Sequence, residues 1–446
     1  MPLTAGTVGS VGRLALPILL SSLAAALSHL TDRFFLARAA DAGLEAVLPA
    51  GMLSVILTNI LVATVGYSAT VLAQFHGGGH ARDAARTFAQ GLFLTLLSAP
   101  LFLLAVPVGC AALDFAGHAP AILAAEKTYF SFCQPAGLLV LLTAVLGGLF
   151  TGQGHTKYVG FCAIVGALSN ILFDRVLILG WGSVPALGIR GAGLATVLSQ
   201  AIPCILLAAR AVRDPLLRAF PVRETFRPNL RLAAHILRLG IPNGLNVLSG
   251  SGTFTVFTLV LGRLDAVSLA ASNVVFAINN IYYLTAVALG QAVTILSARA
   301  FGRGDRADVR RTFLNGLVLA FAALVLFFAA VLPFDGFWLG LFSDGGADSA
   351  AFLALGRKLL LVLLLREIAE GTLCILVGLL RGIGETRFMM TVKAGIEVLV
   401  WTPLVLLLAR VCPSAPALWL TMPLCLGLSA ACLYRRTRMP AENSFP

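Results

Sequence analysis

The chain has 446 residues, 59% of them hydrophobic and only 12% charged, with a mean hydropathy of +0.93. A water-soluble fold of that composition lacks the polar surface to cover itself, and apolar runs long enough to cross a bilayer recur from end to end, so the composition indicates a polytopic helical membrane protein. The net charge of +12 is no sign of nucleic-acid binding, because the positive residues sit in short loops between apolar runs, where they set orientation.

In chain order, twelve candidate spans are predicted near 14–36, 46–74, 88–113, 126–150, 158–180, 190–210, 233–262, 267–297, 312–342, 351–380, 388–410 and 415–434. Several exceed what a straight crossing needs, which predicts tilt or helix beyond the bilayer. The opening MPLTAGTVGSVGRLALPILL reads as the lead-in to the first span, since no small-residue cleavage site is followed by a soluble domain. With the N-terminus in the cytoplasm, 21 of the 32 Lys and Arg fall inside and 7 outside, the rest lying within or at the ends of spans. That bias places both termini in the cytoplasm and requires an even number of spans. The most polar stretch, 210–238, holds seven Arg and three Pro and reads as a cytoplasmic connector, part of which suits a helix lying on the membrane surface.

The two sides of that connector repeat. RLALP at 13–17 matches RLGIP at 238–242, and AQFHGGGHARDAARTFAQG at 73–91 matches ARAFGRGDRADVRRTFLNG at 298–316, both at an offset of 225. GLFTGQGHTKY at 148–158 matches GLLRGIGETRF at 378–388 at an offset of 230. The division follows: an N-terminal lobe of six spans over 1–212, a connector over 213–232 and a C-terminal lobe of six spans over 233–446. Parallel repeats of this kind are a habit of secondary transporters, with the substrate path between the halves.

A carboxylate within a span is costly and reads first as functional, facing the protein interior. The stretch 163–180 carries Asn170 and Asp174 four residues apart, on one helix face, and Asp32 is the other early acid inside an apolar run. A structural reading remains open: Asn170 bridging helices, and Asp174 paired with Arg175 or near the interface. The repeat is an internal control. Asp32 falls on Phe257, Asn170 on Val400 and Asp174 on Leu404, so the scaffold is duplicated and this polar set is not. In the second half, Lys393 and Glu397 at i,i+4 read as a structural ion pair, whereas Arg366, Glu367 and Glu370 form a possible charge site, with Glu370 the stronger functional candidate.

The eight Cys show no CxxC pair and lie mostly in apolar runs, as small buried hydrophobes do, and the six His have no metal-binding spacing. No cofactor is expected. Walker, nucleophile-elbow, His-box and selectivity-filter motifs are absent, which argues against an enzyme or a channel.

The chain resembles the multidrug and toxic compound extrusion (MATE) family, more its DinF-like, prokaryotic branch than its NorM-like branch. The matching stretches, in order, are LALP, LTDRFFLARAADAGLEAV, ATVLAQFHGGGHARDA, GLFTGQGHTKY, the NxxxD of Asn170 and Asp174 with the following LILG, and GIRGAGLATVLSQ. The resemblance implies an all-α membrane fold of twelve helices in two six-helix lobes forming a V around a central cavity. It implies a first helix bent near Pro17 and a cation site in the N-lobe made of Asp32, Asn170, Asp174 and Thr196. The NorM-like branch has a carboxylate in its seventh span; here that span, GIPNGLNVLSGSGTFTVF, has none. Two carboxylates with amide and hydroxyl oxygens make a hard oxygen site suited to Na+ or to protons. Repulsion between the acids and the cost of burying them both favour neutralisation of the site. The function implied is H+- or Na+-coupled export of amphipathic, often cationic compounds by a monomer in the inner membrane. The alternative is a flippase or exporter for lipid-linked or other endogenous metabolites, against which the few intramembrane positives argue.

Overall fold

The computed structural model describes residues 6–39, 43–342 and 349–437, apart from the side chain of Leu44. In the described residues the chain is a succession of helices, joined by short turns and one small hairpin-like bridge between Trp181 and Val184. The first half holds α1 (Val8–Leu36), α2 (Gly43–Val65), α3 (Ser68–Gly77), α4 (Ala81–Asp114), α5 (Pro120–Gly152), α6 (Thr156–Ile178) and α7 (Ile189–Ala211). Two single turns, α8 (Pro215–Arg218) and α9 (Val222–Thr225), make up the connector. The second half holds α10 (Leu230–Gly262), α11 (Ala266–Gly302), α12 (Arg306–Val331), a 3-10 turn with α13 (Asp335–Gly340), α14 (Ser349–Gly382), α15 (Thr386–Ile396), a π-helical turn (Glu397–Trp401), α16 (Thr402–Val411) and α17 (Ala415–Thr437).

Eleven stretches are long and apolar enough to cross a membrane among the described residues, α2 with α3, α12 with α13 and α15 with α16 each counting as one. The expected twelfth is α14, which at 34 residues has the length. It carries Arg357, Lys358, Arg366, Glu367 and Glu370 along that length, and these charges set it apart from the others. The expected span 46–74 is interrupted at Gly66 and Tyr67, between α2 and α3.

The repeat is visible in the turns. Gly79 and Gly304 adopt φ of 81° and 73°, and Gly154 and Gly384 adopt 82° and 86°, a left-handed conformation that glycine takes without steric cost. Each turn closes with the same reach-back hydrogen bond. His80 N donates to Phe75 O at 2.9 Å and Asp305 N to Ala300 O at 3.0 Å; His155 N donates to Phe150 O at 2.7 Å and Glu385 N to Leu380 O at 2.9 Å. Such bonds satisfy carbonyls that the helix end leaves open. The helix before the second turn is packed tightly in each half. A side chain on Gly148 would run into Ala69 of α3, and one on Gly382 into Ser297 and the backbone of α11. Small residues at such crossings let backbones approach without lipid between them.

The chain divides into two compact units, Leu16–Gly244 and the remainder, Met1–Ala15 with Leu245–Pro446. The divisions fall inside α1 and α10. The start of α1 packs with the second half: Val11, Leu14 and Ala15 share a core with Leu289, Ala292, Val293 and Leu296 of α11. The start of α10 packs with the first: a side chain on Gly240 or Gly244 would collide with Thr64 or Ile60 of α2, and Asn243 Nδ2 donates to Ala63 O at 2.7 Å. The repeated RLALP segment therefore straddles one division, and RLGIP ends two residues before the other. Within the first unit the connector is tied down. Asp214 caps α8 by accepting from Leu216 N at 3.0 Å and also accepts from Gln153 Nε2 at 3.2 Å. Gln90 accepts from Asn229 N at 2.9 Å and donates to Arg227 O at 3.1 Å, and Arg82 pairs with Glu224.

Candidate functional site

The first unit brings three of the four sequence candidates to one place, on α1 and α6. Asp32, Asn170 and Asp174 are all buried, and Asp174 has no exposure at all. The face of α6 that carries them is set by spacing: Gly166, Asn170, Asp174 and Ile178 recur every four residues and are all buried. Gly166 lets α7 approach at Pro203, while at the other end of α6 Gly160 lies against Pro17 of α1. The α1 helix continues through Pro17, with Ser21 Oγ donating back to Pro17 O at 2.7 Å.

The electrostatics are unusual for a buried site. Neither oxygen of Asp174 has a hydrogen-bond partner, nor does Oδ1 of Asp32, among the described residues. Among the described residues the one ion-pair neighbour is His29, whose Nδ1 lies 3.7 Å from Asp32 Oδ2 and whose side chain is 76% exposed. Asp32 and Asp174 lie close enough to interact directly. A buried carboxylate without partners costs several kcal/mol as the ion, by the effective penalty that real interiors impose on an unpaired charge, about that order. Such a pair is stable when it is neutralised by a proton or by a bound cation. The orphaned oxygens are hard donors, so the residues present fit either.

Neutral oxygens lie on the same and neighbouring helices. Ser28 Oγ, one turn before Asp32 on α1, donates to Asn170 Oδ1 and joins α1 to α6. Thr196 on α7 donates its hydroxyl to Ala192 O of its own helix at 2.9 Å. Tyr129 on α5, buried, shares a side-chain hydrogen bond with Thr196 and lies within electrostatic range of Asp32 and Asp174. Neither Ser28 nor Tyr129 is among the residues that the sequence singles out. Serine at i−4 from Asp32 is the available signal for the first. No feature of the tyrosine's sequence context marks the second.

The second unit places Arg366 between two acids. Arg366 Nη1 pairs with the wholly buried Glu367, and its Nη2 lies 3.6 Å from Glu370 Oε2. With its amide turned to satisfy both neighbours, Asn279 donates to Glu367 Oε1 at 3.0 Å and accepts from Arg366 Nη1 at 3.1 Å. Cys374 Sγ points to Glu370 Oε1 at 3.6 Å. Glu367 and Glu370 thus carry their own cation, which Asp32 and Asp174 do not. Lys393 and Glu397 face one another across one turn, Nζ to Oε1 at 3.8 Å, as their spacing predicts. No cluster of three or more His, Cys, Asp or Glu with metal-binding geometry occurs among the described residues.

A repeated α-helical membrane protein with bare acids buried in one half has the build of a secondary transporter. The chain belongs to the MatE family: the family model matches residues 17–176 and 242–404, the two repeated halves. Curated relatives cover most of it. A probable multidrug resistance protein NorM from Bradyrhizobium diazoefficiens is 29% identical over 388 residues, 86% of this chain and 82% of its own. The protein of the same name from Agrobacterium fabrum is 26% identical over 386 residues, 84% and 81% of the two chains. Among solved structures, an outward-facing multidrug resistance MATE transporter of the MOP superfamily and a MOP-superfamily transporter from Pyrococcus furiosus each superpose with a TM-score of 0.87. Each is 18% identical and covers 98% of this chain and 96% of its own, a likeness of fold. The protein is a membrane transporter and not an enzyme.

Proposed function

We propose that the protein is an antiporter that exports amphipathic, often cationic compounds by alternating access, driven by H+ or Na+ entering through Asp32, Asn170, Asp174 and Thr196. The observation that supports this reading is the pair of buried carboxylates whose oxygens face no internal cation. An ion or proton that neutralises them stabilises whichever conformation holds the site closed. A substrate that favours the other conformation is then coupled to the ion by differential affinity. The curated relatives named for multidrug resistance support the substrate class, and no further cofactor is required. The transporter acts as a monomer in the bilayer of the plasma (inner) membrane, with both termini and the connector in the cytoplasm. An Arg223→Cys substitution tests the orientation: it should resist an impermeant thiol reagent in intact cells and react after lysis.

The deciding experiment is export of ethidium by everted vesicles or proteoliposomes under a pH gradient or a Na+ gradient imposed separately. Export that follows one gradient, saturates, and disappears in Asp174→Asn supports the reading. Flux that needs neither gradient would mean a different kind of protein.

A further inference from the structure

The least explained charge in the second unit is Glu397. It begins the single π-helical turn among the described residues, Glu397–Trp401, whose closing backbone bond runs from Thr402 N to Glu397 O. Thr402 Oγ1 adds a second bond to the same carbonyl at 3.0 Å. Such turns concentrate at functional sites because they shift side chains out of helical register. The repeat-equivalent helix α6 is α-helical throughout and has Ala163 and Ala167 where Lys393 and Glu397 stand. The scaffold accordingly needs neither the charge pair nor the turn.

The surroundings of Glu397 have the chemistry of an ammonium receptor. Ser249 Oγ on α10 donates to Oε2 at 2.6 Å and fixes the carboxylate. Oε1 faces Lys393 at 3.8 Å, a loose ionic contact, and the two side chains keep 18% and 15% of their exposure. Gly250 beside it leaves room: a Cβ there would meet only the two Glu397 oxygens, at 3.8 and 4.0 Å. One turn along the same α10 face is Phe254, 41% exposed, with its ring edge-on to Phe276 at 5.1 Å. Phe276 stacks on Trp419 at 4.4 Å, and Phe257 stacks on Trp401 at 5.7 Å. The buried members of this aromatic ladder hold Phe254 rigid. A fixed carboxylate next to a supported aromatic face is what an amphipathic cation requires: charge for its nitrogen, and a ring for its apolar body and for cation–π attraction.

We propose that Glu397, positioned by Ser249 and flanked by Phe254, is a recognition point for the cationic nitrogen of an amphipathic organic cation, and that Lys393 is a tethered competitor for it. A partly exposed acid inside a span faces protein interior or a water-filled space and not lipid. Lys393 also lies within electrostatic range of Cys374, whose Sγ donates to Glu370 Oε1 at 3.6 Å. The proposal rests on the organic-cation reading of the transporter's substrates. It adds where the charge is recognised, and it separates that point from the ion site on α1 and α6.

The test is equilibrium binding of ethidium to the purified full-length protein in nanodiscs, read by fluorescence anisotropy, with the uncharged dye Nile red as the comparison. In Glu397→Gln, ethidium affinity should fall about tenfold or more while Nile red changes less than about twofold. In Lys393→Met it should move the other way, tightening for ethidium by about threefold. Opposite signs cannot come from a structural ion pair, whose two halves fail together. Ethidium affinity within about twofold of the parent in Glu397→Gln, or weakening in Lys393→Met to match Glu397→Gln, overturns the proposal and leaves the antiporter reading standing. A parent protein that binds neither ethidium nor tetraphenylphosphonium overturns both.

Discussion

The repeated helices α6 and α15–α16 descend from one pattern and carry their charge differently. In α6 the buried face carries Asn170 and Asp174, and the positions of Lys393 and Glu397 are alanines. In α15–α16 the polar residues are Lys393 and Glu397, and the positions of Asn170 and Asp174 are Val400 and Leu404. Glu397 thus lies seven residues ahead of the Asp174 position, roughly 10 Å along the axis of a regular helix. The compensation differs as well. Asp32 and Asp174 have buried oxygens without hydrogen-bond partners and one exposed histidine near Asp32, whereas Glu367 and Glu370 share Arg366 and Glu397 faces Lys393. A carboxylate without an internal partner needs something from outside, and one with a partner does not. On the proposed reading, the first unit takes up a cation or proton at these carboxylates, and the second meets its acids with cations of its own.

The largest effect should come from removing the bare charge. Asp32→Asn and Asp174→Asn should each lower gradient-driven ethidium export by about a hundredfold or more, since the amide takes up no proton and supplies no negative charge to hold a cation. Both proteins should fold, because loss of an unpaired buried charge relieves desolvation. Leu404→Ile, at the repeat position of Asp174, should leave export unchanged. Phe257→Leu, at that of Asp32, breaks the stack on Trp401 and costs about 1 kcal/mol of stability while coupling persists. Normal export by Asp174→Asn would make that acid structural and dissolve the contrast between the units.

The second unit should respond in stability and not in coupling. Arg366→Met strands Glu367 in a fully buried position, at a cost of about 3–5 kcal/mol. Glu367→Gln in the same background should recover most of it, since the pair is then neutral on both sides. Thermal unfolding of the detergent-solubilised variants measures both. Unchanged stability in Arg366→Met would show that Glu367 is neutral without its arginine, which would make it resemble Asp174.

What can be read from the sequence follows from how rare each signal is. Acids inside apolar runs are few, so Asp32 and Asp174 stand out, and the NxxxD spacing by itself puts Asn170 on the same helix face as Asp174. The glycine turns reveal the repeat because left-handed residues recur with their neighbours, as Gly79 with Gly304 and Gly154 with Gly384 do. Hydroxyls are common in spans, and their partners depend on helix rotation and lateral packing, so Ser28 is marked only by its place one turn before Asp32 and Tyr129 by nothing. The double engagement of Arg366 depends on its rotamer. The π turn at Glu397 adds no residue type that a pattern could catch. The exchange of the leading segments of α1 and α10 between the units is a property of long-range packing, and no local pattern reports it.

The smallest predicted effect tests whether the neutral oxygens of the first unit serve the ion or only the fold. Ser28 and Asn170 share one hydrogen bond, from Oγ to Oδ1, which turns the amide oxygen toward α1. Removing a neutral hydrogen bond costs about 1 kcal/mol, or about fivefold in an equilibrium. If Na+ is the coupling ion, it must replace its water shell with several oxygens, so Asn170→Ala removes a ligand and should weaken Na+ by about tenfold. Ser28→Ala removes only the group that orients that ligand, and the loss should stay near threefold. A proton needs a carboxylate and little else, so under a pH gradient both variants should export ethidium at nearly the parent rate. The measurement is Na+-dependent export at fixed pH, with the concentration for half-maximal rate as the readout. The order Asn170→Ala, then Ser28→Ala, then parent marks an ion site with an oriented amide. Equal losses in both variants under both gradients would mean that the bond holds α1 to α6 as a structural tie, and the proton or ion would then be bound by Asp32 and Asp174 alone.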